Sequence, residues 1–257
     1  MRVMTKLILC CVVWLCVAAG LPGADGVLIV ADEFPAMEVL AAKLKADEGM
    51  TSRIVAQTNL PAALDSFAAV VVYIHRGLAE TAEKAFIDYA QAGGKLVVLH
   101  HSISSGKRQN RHWFGFLGVA LPAGDVERGG YKWIEPVTLE LVNLAPQHPI
   151  MSRKVRYPSS IAYRRAERGD GEQLLPGFVL KETEVYLNHV LTDRRSILMG
   201  FKYSDANSGK IYLQEHAGWC KPAGKGHLVY LLPGHSKSDF EDPCYAQIVV
   251  NAITWKP

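Results

Sequence analysis

The chain has 257 residues, 49% of them hydrophobic, and a formal net charge of +3. This length suffices for one sizeable domain with a hydrophobic core. A charge so close to balance gives no electrostatic reason to expect nucleic acid or an anionic membrane as a partner.

The first feature in chain order is a predicted signal peptide over residues 1–19. Arg2 and Lys6 form a basic n-region, Leu7–Ala18 is a short apolar h-region, and small residues precede a cleavage site after Ala19. The apolar run is short for a membrane span, and an uncleaved anchor is the alternative. We expect an exported, periplasmic protein with no stable membrane association after cleavage. It would have a formal charge of about +1 and a single domain over residues 20–257.

Strands and helices then alternate as far as residue 99. Val27–Ala31 and Ala68–Ile74 are continuous apolar runs, typical of buried parallel strands, and Lys95–Leu99 is a third. Helical spacing of apolar residues follows the first two runs and ends at Gly49 and at Gly93. This order predicts an α/β fold with a doubly wound, mainly parallel sheet.

The chain is less regular between residues 131 and 210. Val137–Val142 alternates like a half-exposed strand and Ser196–Tyr203 is a further strand candidate, which together predict an irregular, antiparallel extension. His227–Leu232 then resumes the parallel core. The last helix is predicted to begin at Asp242–Pro243, an N-cap residue followed by proline at the first helical position.

A series of short motifs runs in order along most of the chain. They are the strand ending in Tyr73, Gly93-Gly94-Lys95 through His100, His148-Pro149-Ile150, Glu184-Val185-Tyr186, Trp219 before Gly224-Lys225-Gly226, Val229-Tyr230, Gly234-His235 and Asn251 to Trp255. In this order they resemble the ThuA-like (trehalose-utilisation) family. The resemblance implies a flavodoxin-like sheet of the class I glutamine amidotransferase type, a site at the strand ends and a link to sugar metabolism.

Two positions depart from the patterns that this resemblance implies. Amidotransferases of this fold carry a nucleophilic cysteine on a tight turn after the strand equivalent to Lys95–Leu99. Here that turn reads His100-His101-Ser102, without a cysteine or flanking glycines, so glutaminase chemistry is not expected. Thr183 stands where the family often has Asp, which leaves the charge partner of Glu184 open.

Histidines and one glutamate are the candidate catalytic groups: His100, Glu184 and His235. The two histidines each follow a predicted core strand, and parallel strands end at one edge of a sheet, where ligands usually bind. The substrate-binding candidates are His101, Tyr186, His216 and Trp219, with His75 in second rank. Because adjacent strand residues point to opposite faces, we expect only one of the pair His100 and His101 to face the cleft, and favour His100.

Each of these residues also has a structural interpretation. His235 could be a solvated loop residue, Glu184 a salt-bridge partner rather than a general base, and Tyr186 or Trp219 core aromatics rather than sugar-stacking rings. Ser102 would be a nucleophile only with a histidine within hydrogen-bond reach, and a capping role is the alternative.

No cofactor follows from the sequence. Histidine and carboxylate side chains suit a divalent metal, but no HExxH or H-x-H spacing is present, so no metal ligand is assigned and any metal site would have to be assembled by the fold. After signal cleavage only Cys220 and Cys244 remain. They could form a disulfide or be two separate thiols, and neither lies on a nucleophile elbow.

Two functions remain open. The first is an enzyme, a hydrolase or isomerase, that acts on a carbohydrate or an oxidised sugar through histidine and Glu184 as acid and base. The second is a non-catalytic carbohydrate-binding domain. Imidazoles and a carboxylate on separate segments favour the enzyme, because a simple binding site is richer in aromatic and amide side chains. Both have a small-molecule sugar as partner, and the sequence does not indicate the oligomeric state.

Overall fold

A computed structural model describes residues 26–165 and 171–256 of the chain, so the predicted signal peptide lies outside the described residues. Among the described helices, none is both long enough and apolar enough to cross a membrane. The strands are β1 Gly26–Ala31, β2 Thr51–Val55, β3 Ala69–Tyr73, β4 Lys95–Leu99, β5 Val119–Ala120, β6 Lys132–Asn143, β7 Ser159–Tyr163, β8 Gln173–Leu187, β9 Val190–Leu191, β10 Ser196–Ser204, β11 Ile211–Ala223 and β12 Gly226–Leu231. The α-helices are α1 Phe34–Glu48, α2 Glu80–Ala92, α3 Trp113–Leu117, α4 Pro149–Ser152, α5 Lys237–Glu241 and α6 Pro243–Thr254.

The first half of the main sheet is parallel and runs in the order β2-β1-β3-β4-β12. This is the flavodoxin-like order, in which the chain reverses its direction across the sheet between β1 and β3. The reversal places α1 and α2 on opposite faces, because parallel crossovers are right-handed. The predicted doubly wound sheet is confirmed, and the four apolar runs that the sequence indicated are neighbours in it.

The second half is antiparallel and continues from β12 through β11, β10, β6, β8 and β7. The predicted antiparallel extension is therefore confirmed, and it equals the parallel half in number of strands. Its longest member, β8, has 15 residues and carries Glu184 and Tyr186 towards the parallel half. A separate two-stranded ladder joins β5 to β9.

The helix ends follow the predicted signals. Gly49 ends α1 with a φ of 67°, a left-handed conformation that glycine adopts without steric cost. The Asp242 side chain accepts a hydrogen bond from the Tyr245 backbone N–H and so caps α6. These ends fix where the helices stop and the site-bearing turns begin.

The close approach of β12 to the turn after α2 gives a first prediction. A Cβ at Gly226 would overlap the backbone carbonyl oxygens of Gly94 and Ala90, which cannot move independently of the fold. We expect Gly226→Ala to lower the free energy of unfolding by about 1–3 kcal/mol, measured by urea denaturation. The control is Gly115→Ala in α3, where a Cβ would meet nothing within 4 Å and alanine favours the helix. Equal stabilities of the two variants would contradict this packing.

Candidate functional site

The turn after β4 brings two histidines to one side of the sheet. The chain leaves the strand in a 3₁₀ turn, His100–Ile103, and His100 has a φ of 36°. Positive φ at a residue other than glycine costs about 1–3 kcal/mol and is typical of functional turns. The His100 and His101 ring centroids lie 4.3 Å apart. Both rings approach Glu184 because the alternation of a strand ends at Leu99, but of the two only His101 lines the cavity over the site, so the preference for His100 as the cleft-facing residue is wrong.

Three imidazoles surround one carboxylate oxygen, Glu184 Oε2. It lies 2.8 Å from His100 Nε2, 3.4 Å from His235 Nδ1 and 3.8 Å from His101 Nδ1. Glu184 is only 5% exposed. We call these four residues the Glu184 cluster. The structure thus joins the three predicted catalytic residues and His101, and their roles stay predictions.

The charges in the cluster are set by burial and by these contacts. Burial raises the pKa of the Glu184 carboxyl, but the imidazoles of His100 and His235 outweigh burial and lower that pKa to about 2. The Glu184 carboxylate raises the pKa of His235 above its usual value. Burial lowers the pKa of His101 far below the usual range. The Glu184 carboxylate therefore faces a neutral His101 and stabilises the protonated form of His235 relative to a free imidazole.

The loop that carries His235 is held in place by Asp239. The Asp239 carboxylate accepts hydrogen bonds from the backbone N–H groups of Gly234 and His235 and from the Thr183 hydroxyl. Thr183 therefore anchors this loop instead of supplying a charge to Glu184. Gly234 has a φ of 113°, and a side chain there would meet Phe240. His235 is thus a positioned residue, with 23% of its side chain exposed, and not a freely solvated one.

Tyr186 belongs to the same site but does not offer a free ring face. Its hydroxyl lies 3.0 Å from His101 Nδ1 and 3.5 Å from His100 Nε2, and its ring stacks on His100 with centroids 4.9 Å apart. The residue is 1% exposed. Tyr186 orients the two imidazoles. Because its ring is buried, it does not present a free face on which a sugar could stack.

Trp219 and His216 lie on β11 and are not brought to the cluster. Trp219 is fully buried, packs on Tyr230 and has the Arg195 guanidinium over its ring at 4.1 Å. His216 Nδ1 lies 2.7 Å from Nε2 of the buried His189. The predicted common cleft therefore does not include Trp219, because its register opposite Tyr230 places it within the sheet.

A cavity of about 250 Å³ opens over the cluster. Trp133, Glu135 and His75 stand at its mouth, and a second cavity of about 640 Å³ shares Glu135, His75 and His235 with it. The second-rank candidate His75 is therefore a cleft residue. Trp133 and Glu135 were not anticipated, because they lie on β6 and only the pairing of β6 with β8 brings them to the site. A larger cavity, about 1060 Å³, lies at the other end of the strands, beside Lys95.

Hydrogen bonds from two sides hold the backbone around His75 in place. Asp32 accepts hydrogen bonds from the His75 and Arg76 backbone N–H groups. The buried Lys107 donates to the carbonyl oxygens of Ile74 and His75, and burial lowers the pKa of its ammonium to about 8. The His75 ring stacks on His101 with centroids 4.0 Å apart. These contacts hold His75 beside the cluster.

Ser102 and the cysteines take structural roles. Ser102 Oγ donates to the Leu99 carbonyl oxygen within the same turn, so its hydroxyl makes a local contact and does not cap the 3₁₀ helix. Cys220 and Cys244 are separate, buried thiols, and burial raises their pKa values to about 11 and about 12. Neither is a reactive thiolate at neutral pH.

A flavodoxin-like parallel core, extended by antiparallel strands and bearing its polar cluster at the carboxyl edge, defines an α/β protein with a large mixed sheet. A family model described as ThuA, trehalose utilisation, matches residues 30–256, and the chain belongs to this family.

Similar solved structures support the same fold. A ThuA-like protein from Bacteroides uniformis is 15% identical with a TM-score of 0.60, covering 90% of each chain. One from Parabacteroides merdae is 13% identical with a TM-score of 0.59, covering 90% of this chain and 89% of the other. A cytoplasmic protein from Salmonella typhimurium is 13% identical with a TM-score of 0.58, covering 89% and 98%. No curated protein matches at a significant level. At these identities the likeness shows the fold alone.

The His189–His216 pair predicts a pH dependence of stability. Burial lowers the pKa of His189 to about 4 and that of His216 well below its usual value. In the unfolded chain both titrate near 6.5, so the unfolded state binds more protons below that pH. The free energy of unfolding should therefore fall as the pH is lowered from 6.5 towards 4, by up to about 1.4 kcal/mol per unit for each histidine.

The variant His189→Gln isolates this contribution, since glutamine keeps a polar contact to His216 but does not titrate. Urea unfolding at a series of pH values should show a smaller slope for the variant than for the wild type in this window. Identical slopes would contradict the assignment of His189 as a buried neutral histidine.

Proposed function

We propose that the protein is an exported enzyme that acts on a carbohydrate or an oxidised sugar derivative in the cleft over the Glu184 cluster. The observation that carries the proposal is the convergence of three imidazoles on one buried carboxylate oxygen at the carboxyl edge of the sheet. Groups with displaced pKa values in a cleft are typical of catalytic sites. The signal-like N-terminus supports export.

The energetic cost of the cluster favours catalysis over binding alone. Burying a carboxylate and holding His100 at positive φ both oppose folding, and proteins keep such features where function needs them. A site for sugar binding alone would need aromatic platforms and amide groups instead. Proton transfer is the chemistry that this set of groups performs most readily.

The groups at the mouth suit a sugar. His235 Nε2 lies 2.8 Å from Glu135 and His75 Nδ1 lies 3.0 Å from Glu33, so two imidazole–carboxylate pairs stand where hydroxyl groups would enter. Trp133 is 50% exposed beside them and offers the ring face for a sugar that Trp219 does not. The trehalose-utilisation description of the family supports a carbohydrate as the substrate class.

The experiment is a screen of monosaccharides, disaccharides and keto-sugars for binding and turnover by the purified protein, followed by NMR of the sugar. We expect His235→Ala to lower turnover of any substrate found by about 100-fold or more, because it removes one of the two imidazoles at the mouth. The His235 side chain is partly exposed, so circular dichroism should report an unchanged fold. His112→Ala, at an exposed histidine away from the cleft, should retain wild-type turnover.

Wild-type turnover by His235→Ala, or no binding of any sugar to the wild type, would contradict the proposal. Saturable binding without turnover, lost in Trp133→Ala, would instead assign the protein as a non-catalytic carbohydrate-binding domain.

A further inference from the structure

Two buried imidazole nitrogens in the Glu184 cluster have no hydrogen-bond partner: His101 Nε2 and His235 Nδ1. His101 is only 2% exposed. A buried polar atom without a partner costs about 1–3 kcal/mol, so each needs an explanation. We propose that the cluster binds one divalent first-row transition-metal ion, of the Zn²⁺ type, through His100, His101, Glu184 and His235.

The contacts of His100 leave a place for a cation between His100 and Glu184. His100 Nδ1 is within hydrogen-bond distance of the Leu232 carbonyl oxygen, which can only accept, so Nδ1 carries a proton. In the neutral ring, Nε2 then has a lone pair, and it faces Glu184 Oε2 at 2.8 Å. Two lone pairs at this distance repel each other unless a second proton or a metal ion binds both.

The distances suit a metal ion. Ligand nitrogen and oxygen atoms about 2.1 Å from a tetrahedral zinc ion lie about 3.4 Å from one another. The imidazole nitrogens lie 2.8, 3.4 and 3.8 Å from Glu184 Oε2, and one ligand atom from each of the four residues falls within 4.8 Å of all the others. His101 can use Nδ1 or its unpartnered Nε2.

The surroundings of the ligands match those of metal sites. Histidine ligands usually pass their other ring N–H to a carbonyl or a carboxylate, which fixes the ring and its tautomer. His100 Nδ1 meets the Leu232 carbonyl, and His235 Nε2 lies 2.8 Å from the Glu135 carboxylate. Three imidazoles and one carboxylate favour zinc, iron, manganese or nickel over calcium and magnesium, which prefer ligand sets made of oxygen alone.

The use of such an ion in turnover rests on the proposed function. A bound ion that accepts a fifth ligand would polarise a carbonyl or hydroxyl oxygen of the sugar, and the His75–Glu33 pair at the mouth would remain for proton transfer. Metal binding itself is measured without any sugar, so its failure and the failure of the proposed function are separate results.

The test uses the full-length chain without an affinity tag, stripped with EDTA and titrated with Zn²⁺ and, separately, Mn²⁺ by calorimetry. We expect one ion per chain for the wild type and a rise in its thermal midpoint with zinc. Glu184→Gln and His101→Ala should each weaken metal binding by at least about 100-fold. Removing a metal ligand lowers the affinity more than removing a residue that only hydrogen-bonds to a ligand. His112→Ala should bind as the wild type does.

Circular dichroism checks that each variant is folded. If one of them does not fold, it is replaced by His235→Ala, whose side chain is partly exposed at the mouth of the cavity. The proposal is overturned if the stripped wild type binds neither ion saturably. It is equally overturned if the two folded variants tested, Glu184→Gln and His101→Ala or the replacement His235→Ala, bind one ion with wild-type affinity.

Discussion

The Glu184 carboxylate lies at the carboxyl edge of a parallel sheet with almost no access to water, and a buried charge of this kind must find its partners within the protein. The partners come from elements that are distant in sequence: the turn after β4 supplies His100 and His101, and the loop after β12 supplies His235. Each of these turns carries its own constraint, positive φ at His100 and the Asp239 clamp at His235.

This requirement explains the two-part sheet. The parallel half alone ends β3, β4 and β12 at one edge and so aligns three turns that bear histidines. It does not provide the carboxylate. The antiparallel half does, because β8 and β6 run back over that edge and deliver Glu184, Tyr186 and Glu135. A cleft forms where the two halves meet.

The turn after β4 also shows how one fold changes its chemistry. The backbone is strained at His100, and imidazoles stand in this turn where the resemblance of the sequence implies the thiol of an amidotransferase. An imidazole at this point cannot perform the attack of a cysteine nucleophile, and it can transfer protons or hold a metal ion. The fold is therefore informative about where the site lies, and the residues decide what the site does.

Much of this architecture follows from local sequence patterns. The apolar runs of β1, β3, β4 and β12, the end of α1 at Gly49 and the Asp242 cap each depend on neighbouring residues alone, and His100 and His235 follow from their positions after strands. His100 was favoured over His101 as the cleft-facing residue because strand alternation was extended into what is a 3₁₀ turn, whereas His101 lines the cavity. Trp133, Glu135 and the burial of Trp219 depend on which distant strands pair and in which register, and no local pattern encodes that.

The central claim, that Glu184 organises three imidazoles, is tested most directly by long-range ¹H–¹⁵N NMR of the histidine rings in the metal-free protein and in Glu184→Gln. The account predicts that His100 carries a proton on Nδ1, and that the substitution shifts the ring signals of His100, His101 and His235 together. The ring signals of His148, which caps α4 away from the cluster, should stay in place. A His100 ring protonated on Nε2 alone, or a change confined to one of the three rings, would contradict the account.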